Sequence, residues 1–265
     1  MGNLFKGHSG CTIELNSAGR VHKTCPKHYN DRLFRQAAKQ MEFKPIGNFR
    51  AAKVTNVGHG YLTMNYEPYK NFDDFLQFSG KKELDFIGES LVYYIRTQCK
   101  KNRKRVSSKI IQNKYQKVSN QIFRKWGILV SELNFHFYDL PEYLYLITGH
   151  CHGDMTFSNI LFDKSEMVLI DFLDTYLENP IQDYVKLRQD TKHKWSLNFS
   201  NVQNKTKIEL ALTYIDNMLK EELHTNFQEY YKEFQLLNLL RIIPYAKNKS
   251  VVDYLMKEIR LLCQH

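Results

Sequence analysis

Residues 149–183 read GHCHGDMTFSNILFDKSEMVLIDFLDTYLENPIQD, and the rest of the chain can be read outward from this stretch. His152-Gly153-Asp154 is followed at a fixed offset by Asn159. A short apolar run, Met167 to Ile170, has the length and character of a buried strand and ends in Asp171-Phe172. Asn179-Pro180 then opens a segment that carries Asp183, and Pro is favoured in the first turn of a helix.

Two carboxylates and an amide in this order suit phosphoryl transfer. That chemistry needs a carboxylate beside the attacking hydroxyl, to orient it and take its proton. It also needs oxygen ligands that hold Mg²⁺ against nucleotide phosphates. Asp154 and Asn159 have the D-x-x-x-x-N interval of a kinase catalytic loop, and Asp171 stands at the end of the next strand, where a second metal-binding carboxylate belongs. Carboxylate and amide oxygens are the donors Mg²⁺ prefers.

Taken together, His152-Gly153-Asp154 with Asn159, then Ile170-Asp171-Phe172, Asn179-Pro180 and Asp183 resemble the aminoglycoside phosphotransferase and choline kinase family of small-molecule kinases. The resemblance implies an α+β, protein-kinase-like bilobal fold. A small β-rich, nucleotide-binding N-lobe would span residues 1–66. A larger helical C-lobe, residues 67–265, would hold the catalytic loop, the metal site and the acceptor-binding helices. It implies ATP and Mg²⁺, with Asp154 as base and Asn159 and Asp171 as metal ligands. Lys23 would clamp phosphate, and the backbone of Met64 to Tyr66 would meet adenine. His152 would pack behind the loop, and Asp183 would steady it.

The N-terminal segment fits that frame. Gly7, Ser9 and Gly10 would form a glycine-containing hairpin turn, and such a loop can lay N–H groups over phosphates. Asn16-Ser17-Ala18-Gly19 signals a second turn, and Arg20 to Thr24 a third strand carrying Lys23. Leu33, Phe34, Ala37, Ala38 and Met41 recur at helical spacing, which predicts a helix from Asp31 to Glu42 capped by Asn30 or Asp31. In the family this helix supplies a glutamate to the strand lysine. Here Gln36 and Gln40 occupy the inward positions, a departure that removes charge assistance. Tyr61 to Tyr66 reads as the strand entering the hinge.

Helices are expected over 71–76, 82–100, 110–126, 180–188, 204–222, 227–243 and 251–262, with an apolar segment, Leu144 to Thr148, feeding the catalytic loop. Lys100, Lys101, Arg103, Lys104, Arg105 and Lys109 form a basic run expected to be a solvated loop or helix end. Asp174 is expected to cap the turn after Asp171.

The composition is that of an ordinary globular protein: 265 residues, 43% hydrophobic and 25% charged. A net charge of +10 favours anionic ligands such as nucleotides, and no nucleic-acid motif accompanies it. Five scattered cysteines without a C-x-x-C pair fit a reducing compartment. With no apolar run long enough for a membrane span and no signal-peptide pattern, the expected location is the cytoplasm. The partners expected are a nucleotide and a small hydroxyl-bearing acceptor, a sugar or an amino-alcohol such as choline.

Two rival readings remain. His150-Cys151-His152-Gly153-Asp154 is also H-x-H-x-D, a zinc-hydrolase opening, but Met155 stands where a further His is required. A catalytically degenerate kinase-fold binding protein is the other, kept open by the glutamines of the first helix.

Overall fold

The computed structural model describes residues 4–6, 11–133, 135, 137–200 and 202–264. Five antiparallel strands form one sheet in the order β1-β2-β3-β6-β5, with β1 Leu4–Lys6, β2 Thr12–Leu15, β3 Arg20–Thr24, β5 Val54–Gly58 and β6 Tyr61–Asn65. The β2–β3 turn forms where Asn16 announces it. Its side-chain oxygen accepts the N–H groups of Ala18 and Arg20, both at 3.0 Å. The register pairs Thr12 with Thr24, which sets Cys11 opposite Cys25. These two cysteines form a disulfide, which goes against the reducing compartment expected from scattered cysteines. A sequence separation of 14 hides a pairing that only the hairpin register reveals.

Helix α1, Asn30–Glu42, lies against β5 and β6 and buries Leu33, Gln36, Ala37 and Gln40. Asn30 is inside the helix. The N-cap is Tyr29, without a side-chain cap bond, so neither Asn30 nor Asp31 caps it. Cys11, Cys25, Leu33, Ala37, Ala52, Leu62 and Met64 form a small core with Val168, which comes from the far end of the chain.

Strand β4, Phe49–Ala51, leaves the N-terminal sheet and runs parallel to β10, Met167–Leu169, which pairs antiparallel with β9, Ile160–Phe162. The strand that delivers Asp171 is thus anchored to the N-terminal region by backbone hydrogen bonds. Arg50 reinforces this join. It forks onto Glu67 at 3.0 and 2.8 Å and reaches Glu166 at 3.0 Å, while Tyr69 also bonds Glu166.

The remainder is helical: α2 Phe72–Leu76, α3 Lys81–Gln98, α4 Lys109–Trp126, α5 Pro180–Thr191, α6 Lys205–Phe227, α7 Tyr231–Leu240 and α8 Lys249–Gln264. Asn71 caps α2 by accepting Asp74 N–H at 2.9 Å. Helices α3 and α7 pack around α5 and α6, and α8 against α7, over one large apolar core. Among the described residues no helix is long and apolar enough to cross a membrane.

Of the basic run, Lys109 begins helix α4, as expected of a helix end, but Lys100 to Arg105 lie on a strand. Cys99–Ser107 is strand β7, paired antiparallel with β8, Tyr143–Gly149. The apolar β8 needs a partner for its backbone N–H and C=O groups, and β7 supplies it. The charged stems project outward, with Lys100 through Arg105 all exposed. Charged side chains on an edge strand also discourage pairing with other chains.

Candidate active site

One face of helix α5 holds the loop from His152 to Asn159. Its residues Asp183, Lys186 and Asp190 recur at i, i+3 and i+7 and so share a side of the helix. Asp183 accepts the backbone N–H of His152 at 2.6 Å and of Gly153 at 2.8 Å. Lys186 places its ammonium 3.0 Å from Asp154 Oδ1. Asp190 accepts the N–H of Phe157 at 2.7 Å and of Ser196 at 2.9 Å. The helix is positioned by Asn179, whose Oδ1 accepts Ile181 N–H at 3.0 Å and whose Nδ2 donates to Ile147 O at 2.7 Å. At the far end, Arg188 bonds Asp216 of α6 at 3.0 and 2.9 Å.

Glycine is obligatory in this loop for a steric reason. Gly153 has φ +93°, and a Cβ there would lie 2.3 Å from Leu173 O. At Gly149 a Cβ would lie 1.9 Å from Gln98 O. Real Cβ atoms do not approach a carbonyl oxygen so closely, so side chains are excluded from both ends of the turn.

His152 is buried. Its Nδ1 accepts Asp154 N–H at 3.2 Å, so its Nε2 carries the proton and donates to Ile170 O at 2.9 Å. Its ring packs tilted at 45° against Phe172, with centroids 4.2 Å apart. Burial pushes its pKa down to about 4, against the pull of Asp154. Both ring nitrogens are thereby engaged by backbone, which argues against the zinc reading. His150, meanwhile, is largely exposed beside Glu178. Burial pushes the Asp183 carboxyl up to about 7, with the two N–H donors pulling the other way.

Asp154 is held at both oxygens. Oδ1 faces Lys186, and Oδ2 accepts Asn159 Nδ2 at 3.0 Å. Burial raises its pKa, but Lys186 outweighs this and leaves it below the ordinary value. Asn159 Nδ2 also donates to Asp154 O at 2.8 Å. With the amide nitrogen committed twice to Asp154, the Asn159 amide oxygen is the atom left to ligate a metal. Asp171 adopts φ +57°, a left-handed conformation uncommon outside glycine but more accessible to Asp than to most residues. Its Oδ1 meets Lys23 Nζ at 2.8 Å across a separation of 148 residues. Lys23 is almost fully buried on β3. Among the described residues Asp171 Oδ2 has no hydrogen-bond partner, and one such carboxylate oxygen with one amide oxygen is a donor set that fits Mg²⁺.

Neither glutamine of α1 reaches Lys23 by a hydrogen bond among the described residues. Gln40 Nε2 donates to Ala52 O at 2.7 Å. The helix instead sends cations to the loop after Asp171. Lys39 bonds Glu178 at 2.8 Å and Leu173 O at 3.1 Å, and Arg35 bonds Asp174 at 2.7 Å. Asp174 is therefore an ion-pair partner of α1, not the cap of its own turn.

Met64 lies in the middle of the sheet, between Val21 and Val54. Tyr66 is half exposed at the hinge, and its N–H donates to Gly19 O at 3.1 Å. Gly10 lies outside the described residues.

Lys186 and Asp190 were missed by the sequence reading. The signal was present as i, i+3, i+7 spacing from Asp183. It becomes readable only once Asp183 is known to face the loop.

Residues 112–217, from α4 through the loop to α6, match the family model described as the phosphotransferase enzyme family. The resemblance read from the sequence stands. The solved structures similar to this chain share its bilobal fold. In the streptomycin–ATP–APH(2″)-IIa ternary complex the TM-score is 0.59 at 12% identity, covering 98% of this chain and 90% of that one. The choline kinase LicA from Streptococcus pneumoniae gives 0.54 at 13%, covering 100% and 94%. A glucosamine kinase in complex with glucosamine, ADP and inorganic phosphate gives 0.53 at 8%, covering 99% and 74%. At such identities the likeness speaks for the fold, an α+β, protein-kinase-like arrangement. No curated protein matches the sequence.

Proposed function

We propose that this protein transfers the γ-phosphate of ATP to a hydroxyl of a small molecule. The observation that carries this reading is the Lys23–Asp171 contact at 2.8 Å, which brings a strand cation to a candidate metal carboxylate beside the Asp154–Asn159 pair. Asp154 orients the acceptor hydroxyl and accepts its proton as the oxygen attacks phosphorus. Lys186 and Asn159 keep that carboxylate ionised and fixed in direction, so the attack geometry is set before the acceptor arrives. The amide oxygen of Asn159 and the carboxylate of Asp171 would hold Mg²⁺, which when bound neutralises charge on the phosphates. Lys23 binds phosphate oxygens. The hinge from Met64 to Tyr66 meets the base. Since the Tyr66 N–H is already donated to Gly19, its carbonyl oxygen is the group left there to receive adenine. The acceptor class is a sugar or an amino-alcohol, the kinds named in the glucosamine kinase and choline kinase structures that share the fold, and the net charge of +10 favours the sugar of the two.

Thermal unfolding with ATP, with and without Mg²⁺, tests the reading. A ligand specific to the folded state stabilises by about 2.7 kcal/mol at a hundred times its Kd. The expected result is a Mg²⁺-dependent rise that Asp171→Ala removes. In ADP-release assays Asp154→Asn should lower kcat by about 10²- to 10⁴-fold, the usual worth of a general base. A wild-type protein that binds no nucleotide with Mg²⁺ would favour the degenerate-kinase reading instead.

A further inference from the structure

Around the mouth of the site each acidic side chain already has a partner. Asp154 faces Lys186, Asp171 faces Lys23, Asp174 faces Arg35 and Glu178 faces Lys39. Asp183 and Asp190 receive backbone N–H groups. Several cations are left over. Lys114 of α4 and Arg241, just after α7, approach the same ring, that of Tyr176, at 5.9 and 5.2 Å. Neither has a carboxylate partner among the described residues, and neither does Arg32 of α1.

This cluster belongs to the reaction centre. Tyr176 follows Thr175, the residue whose methyl group lies against Gly153, next to Asp154. Burial, with Arg241, Lys117 and Arg32 as like-charged neighbours, pushes the Lys114 ammonium down to about 8. Cations gathered in a partly desolvated place without a counter-ion repel one another, and a bound anion relieves that repulsion.

Resting on the phosphotransfer reading, we infer that the acceptor carries its own anionic group, a carboxylate or phosphate, which Lys114 and Arg241 bind beside Tyr176 while a hydroxyl of the same molecule faces Asp154. The class is an acidic or phosphorylated sugar. Cationic acceptors such as aminoglycosides and choline are disfavoured by the same charges. The two cations held over the Tyr176 ring fix which end of the acceptor points away from phosphorus.

The test uses the full chain in the presence of MgADP. Binding of glucuronate, glucose 1-phosphate, glucose and choline is measured by calorimetry and thermal unfolding. Glucuronate or glucose 1-phosphate should bind, and the stronger of the two identifies the anion. Glucose and choline should bind at least about tenfold more weakly, since a hydrogen bond to a charged group is worth that much. Lys114→Ala and Arg241→Ala should each weaken the anionic sugar by about tenfold and leave the MgADP shift in place. The inference is overturned if choline or glucose binds as well as the anionic sugars, if neither anionic sugar binds at millimolar concentration, or if the two variants weaken MgADP instead. An anionic sugar that binds to a protein showing no MgADP shift would keep the acceptor site and sink phosphotransfer.

Discussion

His152 and Asp183 are in direct contact and titrate in opposite senses. The unfolded imidazole takes a proton near pH 6.5, whereas the buried one resists until about 4. Between those values the unfolded state binds more protons, so this group makes stability fall as pH drops. Asp183 holds its proton to about 7 in the fold and only to 3.8 when unfolded, so its contribution falls as pH rises. The two partly cancel in the wild type. They separate in a difference measurement. The penalty of His152→Gln, measured by denaturant unfolding, should shrink by about 3 kcal/mol between pH 7 and pH 4. A penalty that stays constant would show that the fold does not exclude the imidazolium. The departure at Gln36 and Gln40 is also a matter of single residues. The missing glutamate leaves Lys23 to Asp171, and Gln40 serves the backbone of Ala52.

At the scale of elements, α5 is the part that makes a loop into a site. Its face carries Asp183, Lys186 and Asp190, and its direction depends on Asn179, which is fully buried. Asn179→Ala removes a cap worth about 1 kcal/mol and leaves Ile147 O without its donor, costing about 1–3 kcal/mol more. The expected loss is about 2–4 kcal/mol by chemical denaturation, with a lower kcat because Lys186 and Asp183 ride on the helix. Near-wild-type stability would mean that the helix is aimed by its packing on α6 and α7 alone. Strand β7 makes the complementary point. A run of Lys and Arg has no apolar alternation to mark it as a strand, and its partner β8 begins 36 residues after β7 ends.

Across the whole molecule, two cores meet at the three-stranded sheet in which β4 pairs with β10, and Val168 of β10 enters the N-terminal core. Arg50 clamps this join to the hinge through Glu67 and to the β9–β10 turn through Glu166. Arg50→Ala should lower stability by about 1–3 kcal/mol, the range for hydrogen bonds between charged groups. A double-mutant cycle with Glu67→Gln should show coupling, since the two side chains share a forked contact. Additive effects in that cycle would leave the join to the β4–β10 backbone bonds. The net charge of +10 finds part of its place here too, on exposed β7 and around Tyr176.

Much of this protein is decided by local chemistry. Periodicity marks α1, α3, α4 and α6. Asn16 and Gly19 mark a turn, and the spacing of Asp154, Asn159 and Asp171 marks the site, because short-range sterics and ligand geometry require those residue types there. Other features arise only when distant segments meet. Cys11 finds Cys25 through strand register, and the cations of α1 find Asp174 and Glu178 after the lobes pack. Lys186 acquires a role because α5 turns that face to the loop. Lys114 and Arg241 become a pair because two helices far apart in sequence bring them to one ring. Charge and hydrogen-bond complementarity between elements is a property of their packing, and no single segment carries it.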